Sequence, residues 1–577
     1  MEMAKNRLSR ILALAALFVF FFQNAQAQYL WWNRAAVNGS RTGVVEAMPG
    51  KVSEALGRVD GRRYYAPSGK FFRGGSVYKV ASDVIEAQSV MAASKEVVGY
   101  CPEGMIKSSP ESGLTNWFID RLMAYTGELA GKPVDVGIAN FGGVRVDMPK
   151  GNVLLDDILS MFPFKNNLCY LELYGRDLRV IFEQMASVGF EIIGGARCEV
   201  KGRRLHSATI GGKPLEDGKL YSVATISFLL NGGDGYFIGR NAQNLVKFDK
   251  YVIDAILPYV RSLTAEGKNI EYHTDGRVSI LDAPKKDPNL SKSLSSMPDA
   301  GRENNPLYTA DGSEAKPPYS ARRGRKLTIL HLNDTHSHID PLRSGLEIGM
   351  GGVIEQAAYI DSVRRADRGR NVLLLHAGDF SQGTSYFTKL GGDIEISLLN
   401  DMGFDAVALG NHEFDNGVEE LTRRVKNLNM PVLCANYDFS EFELGSYVKP
   451  YVILRRGGRK IGVFGMLTDV SKVLERSIAD KLHALDNNLT ANKIAAYLKN
   501  VEHCDLVIAL THLGFSGEAY TDADLIKSTR NIDLVIGGHS HTFLTDLKWI
   551  RNLDGRRVPV IQDGCWGLYV GNLGYDL

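Results

Sequence analysis

Short apolar runs in the second half of the chain are each followed by polar side chains. The runs and their followers are LTILHL with Asp334 and His336, VLLLHA with Asp379, AVALG with Asn411, His412 and Asp415, LVIAL with His512, and LVIGG with His539 and His541. Amphipathic stretches such as 353–365 and 489–501 separate several of the runs. Strands that alternate with helices predict a layered α/β domain. Because ligands bind outside the carboxyl ends of strands in open α/β sheets, we expect the five motifs to form one site.

The residue types in these motifs are those of a transition-metal site. Carboxylate, imidazole and amide ligands suit Zn, Mn, Fe or Ni better than Ca or Mg. Two metal ions about 3.5–4 Å apart need a shared ligand. A neutral imidazole cannot bridge, so Asp379, which stands alone after its strand, is the expected bridge. Private ligands would be Asp334, His336 and His541 for one metal, and Asn411, His512 and His539 for the other. A purely structural role for the set is disfavoured, because buried charges without partners are costly.

The chain divides at a segment of different composition. Residues 284–325 are rich in Pro, Ser, Lys and Asp and lack a sustained apolar period, which is typical of a flexible linker. A chain of 577 residues can hold two cores. We therefore expect one domain at 28–283 and a second at 326–577. Ten of the twelve histidines follow the linker, so metal chemistry is expected in the second domain.

The N-terminus has the pattern of a secretory signal. Lys5, Arg7 and Arg10 precede an apolar run at 11–22, and Ala25-Gln26-Ala27 offers a cleavage site. The apolar run is short for a membrane span, which needs about 20 residues. We therefore expect residues 1–27 to be removed, and a periplasmic or extracellular protein without a stable membrane span. Residues 28–75 match no motif.

The charge balance bears on the class of partner. The formal net charge is +1, so no basic surface is indicated. Proteins that bind nucleic-acid polymers usually carry a basic face or stripe. We expect no nucleic-acid partner, and the sequence leaves the oligomeric state open.

The first half carries three glycine-rich clusters with polar and aromatic residues. They are IANFGGVR at 138–145, FPFKNN at 162–167 and SFLLNGGDGYF at 227–237. Glycine lets backbone approach a ligand closely, arginine suits phosphate, and exposed aromatic rings can stack on a flat ring. The clusters predict a nucleotide-binding site that has no catalytic residues of its own. The alternative, that Phe164 and Phe228 are core residues, is less consistent with the clusters beside them.

The motifs of the second half, NDTHSH, GDF, GNHEFD, THLG and GGHSHT, resemble the calcineurin-like metallophosphatase domain of the 5'-nucleotidase family. The resemblance implies a four-layer α/β/β/α sandwich with two divalent metal ions. The metal-ligand set proposed above agrees with the family pattern. The resemblance also implies that His412 and Asp415 form a catalytic dyad, in which the aspartate orients the imidazole.

The clusters of the first half resemble the C-terminal, substrate-binding domain of the same family, a mixed α+β domain. By that resemblance Phe164 and Phe228 would sandwich the base and Asn166 would contact its edge. Asp234, beside Gly233 in the glycine-rich turn, would bind the ribose hydroxyls. Asn140 and Arg145 would face the phosphate. The family usually places this domain second, so the order here is reversed. An arginine usual in the family is missing near Glu111, where Lys107 is a candidate substitute.

The resemblance implies a secreted phosphohydrolase. It would remove phosphate from nucleoside 5'-monophosphates by attack of a metal-bound hydroxide, with His412 and Arg145 stabilising the transition state. Alternatives with the same metals are a UDP-sugar pyrophosphatase and a 2',3'-cyclic-nucleotide phosphodiesterase. A non-catalytic nucleotide-binding surface protein is the alternative from another class.

Overall fold

The computed structural model describes residues 30–48, 51–282, 326–367 and 371–576. The expected signal peptide at 1–27 and the whole of the expected linker at 284–325 therefore lie outside the described residues. Among the helices in these ranges, none is both long enough and apolar enough to cross a membrane.

An N-terminal segment, residues 30–91, packs on the C-terminal half of the chain. Its elements are β1 (Leu30–Ala36), α1 (Val52–Leu56), β2 (Arg58–Asp60), β3 (Arg63–Tyr65), β4 (Phe71–Arg73) and α2 (Val77–Met91). Strand β1 pairs antiparallel with the strand at Tyr569–Asp576. Val80 and Val84 of α2 are buried in the core of the C-terminal half. This differs from the expectation that residues 28–283 form one domain. The apolar stripe of α2 predicts a buried face, and sequence alone does not say which core receives it.

The central domain, residues 97–282, follows after a 3-10 turn at Ala92–Lys95. Its elements are β5 (Val97–Cys101), α3 (Gly113–Ala130), β6 (Val136–Ala139), β7 (Gly151–Leu154), α4 (Leu155–Met161), β8 (Asn167–Tyr174), α5 (Gly175–Val188), β9 (Ile192–Gly194), β10 (Ala196–Lys201), β11 (Arg204–Ile210), β12 (Lys213–Pro214), β13 (Leu220–Ile226), α6 (Ser227–Leu230), β14 (Gln243–Tyr251), α7 (Val252–Ala265) and β15 (Val278–Ile280). A five-stranded sheet in the order β14-β8-β13-β6-β9 is covered by α3. Helix α3 begins in a capping box of Ser112 with Thr115 and ends at Gly131 in a left-handed conformation.

The C-terminal domain, residues 326–576, contains most of the remaining elements. They are β16 (Lys326–Leu332), α8 (Val353–Ala366), β17 (Val372–His376), α9 (Ser385–Leu390), α10 (Asp393–Met402), β18 (Ala406–Ala408), α11 (Val418–Val425), β19 (Val432–Leu433), β20 (Tyr437–Asp438), β21 (Val448–Lys449), β22 (Tyr451–Arg456), β23 (Arg459–Leu467), α12 (Arg476–Ala479), β24 (His483–Ala484), α13 (Asn487–Ala496), β25 (Leu506–His512), α14 (Asp522–Lys527), β26 (Leu534–Ile536), β27 (Lys548–Arg551), β28 (Arg557–Ile561) and β29 (Tyr569–Asp576). The five apolar runs of the second half all form strands, as β16, β17, β18, β25 and β26.

Two sheets and two helical layers form the C-terminal domain. One sheet has the order β1-β29-β16-β17-β18-β19-β21, and the other has the order β22-β23-β25-β26-β28-β27. Alternate residues of β16 serve different cores: Ile329 packs between the sheets, and Leu330 packs under the helices. That division explains why the strand reads as a continuous apolar run. Helix α2 completes the helical layer on the first sheet. The expected four-layer α/β/β/α architecture is confirmed.

The parallel core of each sheet determines where the site lies. Strands β16, β17, β18 and β19 are parallel neighbours, as are β23, β25, β26 and β28. Their carboxyl ends therefore open on one edge of the sandwich, where the five polar motifs follow.

Candidate active site

The structure brings the candidate metal ligands together at that edge. Three groups of donor atoms each lie within 4.8 Å of one another: Asp334, His336 and His541; His336, Asp379 and His412; and Asp379, His512 and His539. The first group contains the three ligands expected for one metal, and the third contains Asp379 with two of the three ligands expected for the other, His512 and His539. Asn411 lies at the same site, on the wall of the adjoining cleft.

Five of these residues have left-handed backbone conformations. The φ angles are 50° at Asp334, 47° at His336, 53° at Asp379, 83° at His539 and 51° at His541. Such conformations are uncommon for residues other than glycine, and they cluster at functional sites. The turns after β16, β17 and β26 thus accept backbone strain in order to direct their side chains into one site.

Distances between donor atoms are short. His512 Nε2 lies 3.0 Å from Asp379 Oδ2, and His336 Nε2 lies 3.7 Å from the same oxygen. His541 Nε2 lies 3.5 Å from Asp334 Oδ1 and 2.9 Å from His336 Nε2. Two imidazole nitrogens this close together, beside carboxylates, suit coordination to a common cation.

The buried charges at the site fit two divalent cations. Asp334 and Asp379 are both buried, and in the described part of the chain their ion pairs are with histidines. Burial raises the pKa of Asp334 to about 7, and the nearby His512 opposes that rise. Asn411 Oδ1 is buried and has no hydrogen-bond partner among the described residues, and His512 Nε2 is buried and faces the carboxylate of Asp379. These atoms are available as ligands, so the residues present fit a dimetal site.

Backbone carbonyls orient two of the imidazoles. His512 Nδ1 lies 2.7 Å from the carbonyl oxygen of Ala377, and His336 Nδ1 lies 2.9 Å from that of Gln382. When Nδ1 carries the proton and directs it at a carbonyl oxygen, Nε2 is unprotonated and free to coordinate a metal. Both histidines therefore present Nε2 to the centre of the site.

Glu413 is a buried residue of the site that the sequence analysis missed. Its carboxylate accepts hydrogen bonds from the backbone N–H groups of Asp379, Ser381 and Gly410, at 2.6–3.0 Å. It thereby joins the loops after β17 and β18. Its position inside GNHEFD, between two candidate site residues, was the available signal, but no sequence pattern identifies its partners.

His412 and Asp415 form the expected pair. His412 Nδ1 lies 2.8 Å from Asp415 Oδ2, and the backbone N–H of His412 donates to Asp379 Oδ1 at 2.9 Å. Burial lowers the pKa of His412, but the carboxylates of Asp415 and Asp379 outweigh burial and raise it above its ordinary value. The imidazole is thus held in one orientation beside the metal cluster.

Arg145 crosses from the central domain into the site. Its Nη2 lies 3.1 Å from His336 Nε2, and its guanidinium carbon lies 5.7 Å from the centre of the Phe164 ring. Burial lowers the pKa of Arg145, and the nearby Asp379 opposes that effect. The half-buried cation stands where an anionic group would approach the cluster.

One cleft joins this cluster to the central domain. It has a volume of about 770 Å³. Six of the expected substrate-side residues line it, namely Asn140, Arg145, Phe164, Asn166, Phe228 and Asp234. Candidate metal-site residues from the C-terminal domain line the opposite wall, namely Asp379, Asn411, His412, Asp415, His539 and His541. The reversed order of the two halves therefore still brings both sets of residues to one cavity.

Two substrate-side residues support others in this cleft. Asn140 Nδ2 donates to Asp234 Oδ2 at 2.7 Å, which orients that carboxylate. Gly233 is not among the residues that line the cleft, and it packs under Phe228. A Cβ atom at Gly233 would lie 2.7 Å from Cδ1 of that ring. Gly233 is thus required for close packing beneath the ring.

Lys107 does not line the cleft in the way a phosphate-binding residue would. Its ammonium donates to the carbonyl oxygens of Val144, at 2.6 Å, and Phe141, at 3.3 Å. Burial, together with the nearby Arg145, lowers its pKa to about 8. Lys107 supports the loop that carries Arg145, and its amino group is occupied by that loop.

Comparison with known proteins agrees with both halves of this description. Residues 327–543 match the calcineurin-like phosphoesterase family, and residues 90–239 match the 5'-nucleotidase C-terminal domain. The snake venom 5'-nucleotidase of Crotalus adamanteus is 35% identical over 275 residues, which are 43% of this chain and 45% of that protein. The trifunctional nucleotide phosphoesterase YfkN of Bacillus subtilis is 24% identical over 540 residues, covering 77% of this chain and 34% of that protein.

Among solved structures, the 5'-nucleotidase precursor from Thermus thermophilus is 31% identical. The match covers 43% of this chain and 51% of that chain, with a TM-score of 0.39. The chain spans about half the length of most of the curated 5'-nucleotidases it matches. Residues 90–239, which match the 5'-nucleotidase C-terminal domain, thus precede residues 327–543, which match the calcineurin-like phosphoesterase family.

Proposed function

We propose that the protein is a metal-dependent phosphohydrolase that removes phosphate from nucleoside 5'-monophosphates. The observation that carries the proposal is the shared cleft, in which a metal-type cluster faces two aromatic rings and a half-buried arginine. The relatives named as 5'-nucleotidases support the same activity.

The proposed metal ligands are the seven residues expected from the sequence: Asp334, His336 and His541; Asn411, His512 and His539; and Asp379 between them. Zinc and manganese suit this mixed set of imidazole, carboxylate and amide donors. Two such ions would lower the pKa of a bound water molecule and would place positive charge beside the phosphoryl oxygens.

The residues around the proposed metal site stabilise the charge that develops on phosphate. Arg145 offers a planar guanidinium whose burial strengthens its interaction with an anion. His412, held by Asp415, offers Nε2–H to an equatorial oxygen. The His412–Asp415 pair is preorganised, because the 2.8 Å contact with Asp415 already orients the ring of His412.

The central domain holds the nucleoside. Phe164 and Phe228 provide aromatic faces for the base, and Asn166 provides hydrogen bonds for its edge. Asp234, oriented by Asn140, accepts hydrogen bonds from the ribose hydroxyls. Fixing the nucleoside in this way positions the 5'-phosphate at the metal cluster, which converts binding into orientation of the reacting group.

The test is phosphate release from AMP, UDP-glucose and 2',3'-cyclic AMP, each with added zinc or manganese and with a chelator. Release from AMP that is lost with chelator and in Asp379→Ala is the expected result. Asp546→Ala, an exposed aspartate of the same domain, is the matched control and should retain activity. No release from any substrate with metals present overturns the enzymatic proposal in favour of a nucleotide-binding protein. A preference for UDP-glucose or the cyclic nucleotide assigns the related activity instead.

We also propose that the protein is exported, on the basis of the charged and apolar pattern at 1–27. N-terminal sequencing of protein recovered outside the cytoplasm should begin just after Ala27. A mature protein that retains Met1 would contradict export by cleavage.

A further inference from the structure

The row of paired residues that crosses β1, β29 and β16 contains a gap at Gly571, which has no side chain. In the strand register Arg34 lies opposite Gly571, and Gly571 lies opposite His331. A Cβ atom at Gly571 would overlap both Asp563 Oδ2 and His331 Nε2. The missing side chain therefore makes room for the carboxylate of Asp563 between an arginine and a histidine.

Arg34 is enclosed in this position. Its side chain is 11% exposed, and its Nη2 lies 3.2 Å from Asp563 Oδ1. The guanidinium carbon stands 3.7 Å above the Phe543 ring and 4.6 Å from that of Trp32. Its Nη2 also donates to the carbonyl oxygen of Leu544. A planar cation that pairs, stacks and donates at once uses the features that distinguish arginine from lysine.

From Asp563 a chain of hydrogen bonds reaches the metal cluster. The backbone N–H of Asp563 donates to Asn333 Oδ1 at 3.0 Å. Asn333 Nδ2 donates to Asp334 Oδ2 at 2.7 Å and to the carbonyl oxygen of Gly564 at 2.7 Å. The orientation of the Asp334 carboxylate thus depends on the loop that begins with Asp563.

A second path leads to another ligand of the same proposed metal. Phe543 and Leu544, which Arg34 contacts directly, follow His541 by two and three residues. Phe543 also forms a β-bridge with Asp563. Arg34 therefore contacts the segment that follows His541 directly, and it is linked to Asp334 through Asp563 and Asn333.

We propose that Arg34 is a positioning residue for the metal site formed by Asp334, His336 and His541. It holds the segments of two ligands in register from a strand that lies far from them in sequence. The inference rests on the proposed dimetal site. Groups that orient metal ligands from outside the coordination shell typically change metal affinity 10–100-fold when they are removed. This assigns a role to residues 30–36, for which the sequence alone offered no motif.

Arg41 provides a matched comparison. It belongs to the same N-terminal segment, and its Nη1 lies 3.0 Å from Glu355 Oε1, a carboxylate of α8 that is fully buried. Its guanidinium carbon stands 4.8 Å from the ring of Tyr359. Arg41 therefore stabilises the attachment of the N-terminal segment as Arg34 does, and no contact described for it involves a candidate metal ligand.

The experiment measures zinc and manganese binding to chelator-stripped full-length protein by calorimetry, for wild type, Arg34→Met, Arg34→Lys and Arg41→Met. Thermal unfolding of the stripped proteins is recorded alongside. We expect Arg34→Met to bind one of the two metals at least about 10-fold less tightly. Arg34→Lys should show a smaller loss of affinity. Arg41→Met should lower the unfolding temperature and keep wild-type metal affinity.

The outcomes separate the two proposals. Unchanged affinity in Arg34→Met, with wild type binding two metals, overturns this inference alone. An equal loss of affinity in Arg41→Met also overturns it, because the effect would then be general destabilisation. A wild type that binds no metal overturns the proposed function, and this inference with it. If Arg34→Met does not fold, the comparison of Arg34→Lys with Arg41→Met decides the question in the same way.

Discussion

The ring of His412 lies between two carboxylates and close to two candidate metal ligands. We expect His412→Ala to lower kcat for AMP about 10²–10³-fold, because one preorganised donor to the developing charge is lost. Metal content, measured by elemental analysis, should remain at two ions per chain. A loss of one ion would instead identify His412 as a ligand, and a change in kcat below about threefold would remove it from the reaction.

Glu191 gives the central domain a pH-dependent stability. Burial and the nearby Asp234 raise its pKa to about 7 from its ordinary value near 4.5. The folded protein therefore holds a proton that the unfolded chain releases at lower pH. Stability contributed by this group falls as pH rises from about 4.5 to about 7. At about 1.4 kcal/mol per pKa unit, the change is at most about 3.5 kcal/mol.

Replacing the group tests that sign. Glu191→Gln should stabilise the protein relative to wild type at pH 8 more than at pH 5, in denaturant titrations at both pH values. Glu199→Gln, at an exposed position, is the control and should show the same difference from wild type at both. A Glu191→Gln difference that does not depend on pH would refute the assignment.

Single residues also show what the sequence could predict. Asp334, Asp379 and His512 were identifiable because each follows an apolar run in a pattern that strand geometry brings together. Lys107 was not, because whether an ammonium reaches a ligand or a backbone carbonyl depends on loop packing. The left-handed backbone at the ligands was not predictable either, since no glycine marks those positions.

At the scale of elements, the turn after α6 shows how a glycine shapes a binding surface. We expect Gly233→Ala to raise KM for AMP up to about 10-fold, because a Cβ atom there would displace the ring of Phe228 and weaken stacking. Metal content should not change. Gly218→Ala is the control, since no atom lies within 4 Å of the place that its Cβ would occupy. Equal KM values in both variants would show that Phe228 does not contribute to base binding.

Strands and helices were predictable to different extents. The runs that became β16, β17 and β25 were identifiable from composition, and their alternation with helices predicted a layered α/β domain, whereas the four layers were implied by the family resemblance. The attachment of α2 was not, because its apolar stripe fits any complementary face. Pairing of β1 with β29 depends on contacts between distant parts of the chain, which local patterns do not encode.

For the whole molecule, a buried cluster joins the 3-10 turn at Ala92–Lys95, the central domain and the C-terminal domain. Lys95 Nζ lies 2.7 Å from Asp156 Oδ2 and 3.0 Å from Asp340 Oδ2. Burial lowers the pKa of Lys95, but the two carboxylates outweigh burial and raise it. Because the cluster lies between domains, it stabilises their relative placement.

We expect Lys95→Met to lower the free energy of unfolding by about 3–5 kcal/mol, because two buried carboxylates lose their cation. Denaturant titration provides the measurement. Lys51→Met, which removes an exposed ion pair with Glu54, should leave stability nearly unchanged. A Lys95→Met effect no larger than that of Lys51→Met would show that the cluster does not hold the domains.

The pairing of β1 with β29 has a consequence for biosynthesis. Translation completes the N-terminal segment long before the strand that covers it, and the central domain can fold in the interval. Nascent chains would thus carry β1 without its partner strand until translation reaches β29. A chain truncated after Gln562 should accordingly leave residues 30–91 open to protease while 97–282 stay resistant. Protection of both regions would show that the segment finds its place without β29.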